Sequence, residues 1–272
     1  MSAAWVLLAT VAATAAMMIF VWLLSLAKRD VSMVDIFWGL GFMLIAHVAC
    51  QVGGGYSGRK LLVTSLVTLW GLRLAVYLLW RNWGQEEDYR YRAMRKHHGE
   101  RFGWVSLYTV FGLQGALMWV ISLPLQVAQI SPLPARLTWM DALATLLWAI
   151  GLLFESVGDW QLKGFKADAA NAGRVMNQGL WAYTRHPNYF GDALVWWAFF
   201  LIALATPWGV WTIISPLLMT FMLMRVSGVA LLERKLVKTR PEYEAYRRQT
   251  NAFFPWFPRR ADERKGHSGV GT

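Results

Sequence analysis

"TRHPNYFGD" (Thr184–Asp192) runs without a break into "ALVWWAFFLIALA" (Ala193–Ala205), and this junction decides the fold. The second segment is uncharged, while the first holds Arg185, His186, Asn188, Tyr189 and Asp192. A helix on the surface of a soluble protein alternates apolar and polar faces along such a stretch. A block that is apolar all round belongs in lipid, where about 20 residues cross about 30 Å of hydrocarbon. The hydrogen-bonding groups then stand at the mouth of a membrane helix.

Working outward, the same pattern recurs along the chain. Of its 272 residues, 56% are hydrophobic, with 17 Trp and 12 Met. Charge gaps delimit seven apolar runs: Ala4–Ala27, Ser32–Gln51, Leu61–Trp80, Val105–Val127, Met140–Gln161, Asn188–Thr206 and Gly209–Leu232. The expectation is an all-α integral membrane protein with seven transmembrane helices. The first run reads as a span, because its positive charge follows the apolar core, the reverse of a secretory signal.

Charge orients the chain. Of 27 Lys and Arg, Arg59, Lys60 and Arg136 follow the second and fourth runs, and Arg73 and Arg225 lie inside runs. The remaining 22 (27 less these five) follow the first, third, fifth and seventh runs. The positive-inside rule then places the N-terminus outside and the C-terminus in the cytosol. The net charge of +11 is explained by topology and anionic lipid, without nucleic acid. A single Cys50 excludes an internal disulfide framework, and the five His show no metal-site spacing, so no metal is expected. "GGGYSG" (Gly53–Gly58) matches a dinucleotide fingerprint only formally: a membrane helix precedes it, so it reads as a flexible external loop.

Ionisable residues inside membrane segments are costly and therefore candidates for function. They are Asp35 in the second run, Arg73 in the third, Glu155, Asp159 and Lys163 in the fifth, and Arg225 with Glu233 at the seventh. Glu155, Asp159 and Lys163 recur every four residues and share one helical face, a spacing that Asn188 and Asp192 repeat. A structural alternative pairs Arg73 with Asp35 as neutralising charges between helices and lets Lys163 snorkel to the interface. Three polar segments on the same expected side, 81–95, 167–192 and 233–258, suit a long anionic ligand.

Six motifs now carry a resemblance. "SMVDIFWG", "WGLRL", "GQEEDYRYRAMR", "FESVGDWQLKGFK", "GLWAYTRHPNYFGD" and "SGVALLERK…PEYEAYRRQTNAFFPW", in this order, resemble bacterial membrane proteins of the steroid 5α-reductase family. "RHPNYFG" by itself is similar also to isoprenylcysteine carboxyl and phospholipid methyltransferases. The resemblance implies a bacterial inner-membrane enzyme that reduces the C4–C5 double bond of a 3-oxo-Δ4 steroid with NADPH. It implies one domain over residues 1–258, with 1–104 mainly on the substrate side and 105–258 mainly on the cofactor side; the polar, glycine-containing composition of 259–272 predicts a disordered tail.

By the same resemblance, Arg81, Asp88, Arg90, Asp159, Lys163, Arg174, His186, Asn188, Tyr189, Asp192, Arg225, Glu233, Tyr246 and Arg247 are the cofactor-binding candidates. Trp38 and Trp70 would line the steroid, and Asp35, Tyr89 and Arg73 would be catalytic. Asp35 falls where the animal enzymes carry Glu, but Trp70 falls at their Tyr, and an indole is no practical acid. Tyr89 or Tyr77 remains as the proton source, beside a protonated Asp35 that donates to the substrate oxygen. Three rivals stand beside this reading: an S-adenosylmethionine-dependent membrane methyltransferase, a transporter subunit, and a reductase of another lipid enone.

Overall fold

The structure, a computed structural model, describes residues 2–226 and 229–259, all of them helical or irregular. Seven helical stretches among these residues are long and apolar enough to cross a membrane: Ala3–Lys28, Met33–Val52, Ser57–Asn82, Tyr89–Ile121, Trp139–Ala167, Pro187–Leu204 and Gly209–Val226. The polar tail lies outside the described residues beyond Arg259.

Three continuous helices open the chain: α1 (Ala3–Lys28), α2 (Met33–Val52) and α3 (Ser57–Asn82). The fourth span is composite. It runs through α4 (Tyr89–His98), α5 (Phe102–Ser106), a π-helical stretch Leu107–Gly112 and α6 (Leu113–Ile121). Sequence reading carried it on to Val127, but the helix ends at Ile121 and α7 (Leu123–Ile130) starts afresh with Pro124 in its first turn. Proline supplies no backbone N–H and is tolerated only there. Then follow α8 (Trp139–Ala167), α9 (Leu180–Tyr183), α10 (Pro187–Leu204), α11 (Ile214–Phe221), α12 (Val229–Thr239) and α13 (Tyr243–Gln249). A second π-helical stretch, Met222–Val226, closes the part of the seventh span that precedes residues 227–228, and α12 is described from Val229 onward.

The chain divides into two compact units, unit 1 (Met1–Ala144 and Phe199–Ser215) and unit 2 (Thr145–Ala198 and Pro216–Thr272). In unit 1, α2 and α3 cross at Gly39 and Gly71, so closely that a Cβ on Gly39 would lie 2.3 Å from the Gly71 carbonyl oxygen. Lipid offers helices no hydrophobic drive to associate, so small residues and buried hydrogen bonds hold them. The Thr10 hydroxyl donates to Gln126 Oε1 at 2.7 Å, and Gln129 Nε2 donates to the Ala46 carbonyl at 3.1 Å.

Two readings from sequence change here. The "GGGYSG" segment is tied down: Gly55 N–H donates to the Gln129 carbonyl at 3.0 Å, Tyr56 N–H to Ser131 at 3.2 Å, and Lys60 Nζ to Gly53 at 2.8 Å. Arg59 is no loop charge. It is 0% exposed, with Nε 2.9 Å from Asp141 Oδ1 and Nη2 3.0 Å from Oδ2. Its remaining donors reach the carbonyls of Pro134 and Arg136, which fixes the turn before α8.

In unit 2, α8 and α10 repeat the glycine crossing, with a Cβ on Gly191 falling 2.5 Å from the Gly151 carbonyl oxygen. Trp181 Nε1 donates to the Gly158 carbonyl at 3.1 Å, and Leu180 N–H donates to Gln161 Oε1 at 3.0 Å, so α9 is seated on α8.

Candidate functional site

In unit 1 the polar chemistry converges on Asp35, in the first turn of α2. The segment before α4 is what brings partners to it. Glu87 accepts from Val31 N–H at 2.9 Å and from Arg95 Nη2 at 2.7 Å, and Asp88 N–H donates to Ser32 Oγ at 2.7 Å. Asp88 caps α4 by accepting from Arg90 N–H at 2.9 Å, the usual service of an aspartate at a helix start. Burial would raise the pKa of both carboxyls, but the arginine and backbone hydrogen bonds outweigh it and hold both below the ordinary range.

So positioned, α4 presents two groups to Asp35. The Tyr91 hydroxyl donates to Asp35 Oδ1 at 3.4 Å, and Arg90 Nη2 lies 3.8 Å from Oδ2. Behind Tyr91, Gln114 Nε2 donates to its oxygen at 3.0 Å, and Trp38 Nε1 donates to Gln114 Oε1. The chain of donors therefore runs one way: Trp38 to Gln114 to Tyr91 to Asp35. Trp38, Phe42 and Trp70 form an aromatic ladder, with centroids 5.6 and 5.8 Å apart, and Trp70 is 1% exposed.

Some expectations shift. The hydroxyl 3.4 Å from Asp35 Oδ1 is that of Tyr91, which the sequence candidates did not include, and Tyr89 is 52% exposed. The Arg73 guanidinium stands 5.4 Å from the Tyr77 ring centroid and Arg81 5.7 Å from the same centroid, while the arginine beside Asp35 is Arg90. Gln114 shows in the sequence only as an amide inside an apolar run, and Tyr91 only as a near neighbour of Tyr89.

Unit 2 holds the second cluster. Arg185 Nε and Nη2 both lie 2.8 Å from Glu233 Oε1, and His186 Nε2 is 3.2 Å from the same oxygen. Arg185 Nη1 donates to the carbonyls of Arg247 at 3.0 Å and Thr250 at 2.5 Å. Burial would push Glu233 up, yet hydrogen bonds from His186 and Arg185 outweigh it and hold its carboxyl at about 2. Burial lowers His186 in spite of that carboxylate. The Tyr246 hydroxyl donates to the Trp181 carbonyl, so this candidate ties α13 to α9. Arg185, absent from the sequence candidates, is the organising residue here.

The other candidates of unit 2 fall into two groups. Asn188 Nδ2 donates to the buried Asp159 at 3.1 Å, and Tyr189 stacks on His186 with a 5.5 Å centroid separation at the start of α10, where Asp192 is half-buried one turn on. Lys163, Arg174, Arg225 and Arg247 are exposed, and Arg247 pairs with Glu244 at 3.4 Å. Among the described residues, no group of three His, Cys, Asp or Glu is placed to hold a metal.

Comparison with known proteins gives a family without a described activity. A family profile described as a protein of unknown function (DUF1295) matches residues 21–250. A relative from Schizosaccharomyces pombe (strain 972), described as uncharacterized protein C594.04c, is 25% identical over 264 residues, covering 86% of this chain and 75% of its own. No solved structure matches.

Proposed function

Starting from the fact that this membrane chain belongs to the DUF1295 family, we propose that it is an NADPH-dependent reductase of an apolar conjugated enone, of the steroid 5α-reductase type. The observation that carries the reading is the directional chain from Trp38 through Gln114 and Tyr91 to Asp35. The buried Tyr91 and the half-buried Trp38 and Gln114 fix the phenol against Asp35, and a donor held in place in this way needs little reorganisation as an oxyanion develops.

The residues present fit a dinucleotide. Lys163, Arg174 and Arg247 of unit 2 are exposed cations suited to phosphate, Arg forking bidentately onto its oxygens. Asn188 and Asp159 offer an amide and a carboxylate beside the first turn of α10, whose leading backbone N–H groups have no intrahelical acceptor. When bound, NADPH would supply the hydride that the enone's C5 receives.

The chain's own residues do the rest. Tyr91 donates to Asp35, and a protonated Asp35 donates in turn to the substrate oxygen, stabilising the negative charge that spreads onto it. Gln114 keeps the Tyr91 oxygen engaged, so its proton points forward. The partly exposed Trp38 supplies apolar surface for a fused-ring or isoprenoid skeleton, while Trp70 is buried against Phe42. The C4 proton then comes from Tyr91 or Asp35. The surroundings are those of a bacterial inner membrane, with the basic loops on the cytosolic side.

The test is mass spectrometry of the purified protein, followed by reduced-nicotinamide absorbance with an added 3-oxo-Δ4 steroid. Co-purified NADP(H) and substrate-dependent loss of that absorbance are expected. Arg174→Ala should raise KM for NADPH more than for NADH. Bound S-adenosylmethionine with no absorbance change would overturn the reading in favour of methyl transfer, which rests on "RHPNYFG". Turnover of a non-steroid enone would keep the chemistry and change the substrate.

A further inference from the structure

Unit 2 carries an exposed aromatic surface that the reductase reading does not use. The segment after α13 runs back along the residues that precede α10. Arg185 N–H donates to the Asn251 carbonyl at 2.9 Å, Thr184 Oγ1 to Phe253 at 2.8 Å, and Trp256 N–H to Tyr183 at 2.9 Å. Arg259 N–H closes the segment on the Gln249 carbonyl at 2.9 Å. Phe253 is turned inward and buried, whereas Phe254, Trp256 and Phe257 are 68%, 68% and 75% exposed. Tyr183 joins them, its ring 6.0 Å from that of Phe257.

Several large aromatic rings held outward by a hydrogen-bonded backbone mark an interaction surface. Two features say what covers it. The segment is fastened to the residues immediately before Pro187, the first residue of a membrane span, so it sits at the level where that span begins. Its margins are basic: Arg248 and Arg259 are exposed, and Arg248 is 3.7 Å from Glu244. Aromatic rings gather at headgroup depth, and exposed Arg near a membrane surface is drawn to anionic lipid.

We infer that Phe254–Arg259 is an interfacial anchor that docks into the headgroup layer of the bilayer the protein spans, with anionic phospholipid as its partner. The anchor reaches the interior of unit 2 through Arg185, which holds both this segment and Glu233. Lipid composition therefore bears on the packing of α12 and α13 without any new protein partner.

The experiment uses the full chain carrying Cys50→Ser and Phe257→Cys, labelled with an environment-sensitive fluorophore. It is reconstituted in phosphatidylcholine vesicles with and without phosphatidylglycerol. Lipids with a quencher near the headgroup should quench the label several-fold more than lipids with it at mid-chain. Aqueous iodide should quench it several-fold less than a label at Gln85→Cys in the exposed turn before α4. Phosphatidylglycerol should deepen the protection, and Arg248→Glu with Arg259→Glu should remove that increment. Iodide quenching equal to that at position 85 overturns the proposal, as does protection that disappears on dilution in lipid, which would mark a second copy as the partner. Protection indifferent to phosphatidylglycerol and to both charge reversals overturns the anionic assignment.

Discussion

The Arg185–Glu233 cluster of unit 2 and the Asp35 cluster of unit 1 are built from the same residue types and finished differently. Around Glu233, charge-assisted bonds are short, and the arginine's donors end on Glu233 and on backbone carbonyls. Around Asp35 the approaches are long, 3.4 Å from Tyr91 and 3.8 Å from Arg90, and the carboxylate side chain keeps 24% of its surface. A closed network is committed to holding chain segments together. A loose, partly open one retains capacity to bind something else. The difference separates scaffold from site more sharply than residue type does.

Removing a partner from a closed network should cost most. Arg185→Ala removes the arginine donor from Glu233 and from two backbone carbonyls, and Arg59→Ala does the same to Asp141 and the carbonyls of Pro134 and Arg136. Each should lower stability by about 3–5 kcal/mol, read as thermal unfolding in detergent. An effect of this size from Asp35→Ala would erase the comparison. That substitution should instead leave the melting temperature close to that of the parent and cut turnover on the order of 10²–10⁴-fold.

Acid sharpens the contrast further. Glu233 is held at about 2 against an ordinary value of 4.5, and His186 lies below its ordinary 6.5. Both groups bind fewer protons folded than unfolded, so their stabilisation is complete above the unfolded values and is lost as pH falls through the folded ones. Melting temperature should decline from about pH 6.5 downward and most steeply below about 4.5, and Glu233→Gln should flatten the lower part of that slope.

Between these extremes lies the glycine crossing of unit 1. Gly39→Ala forces a Cβ against the Gly71 carbonyl oxygen and should cost about 1–3 kcal/mol. The smallest effect belongs to the surface pair Arg247–Glu244, whose loss should lower stability by under about 1 kcal/mol. Any change in nicotinamide KM on Arg247→Ala would then report on ligand binding and not on folding.

What was legible in the sequence follows from the same physics. Seven spans show in apolar runs because lipid forbids charge over a whole helix, which is a local property. The break at Ser122 and the π-helical stretches do not show, because an uninterrupted apolar run is equally compatible with one helix or two. Asp35 stood out as a carboxylate in an apolar run. Tyr91 did not, since Tyr89 and Tyr91 are separated by about 200° around a helix and only packing decides which one turns inward. Arg59 was misplaced because its partner Asp141 is 82 residues away, and no local rule links the two.

The wide turn at Leu107–Gly112 has a consequence for phase. Each residue added to a helix advances the next by about 100° in azimuth. Tyr91 precedes this stretch and Gln114 follows it, so the widened turn sets the angular offset at which the amide meets the phenol. Excising one residue there would regularise the span while swinging Gln114 about a quarter-revolution aside, leaving every side chain of the relay intact but out of step.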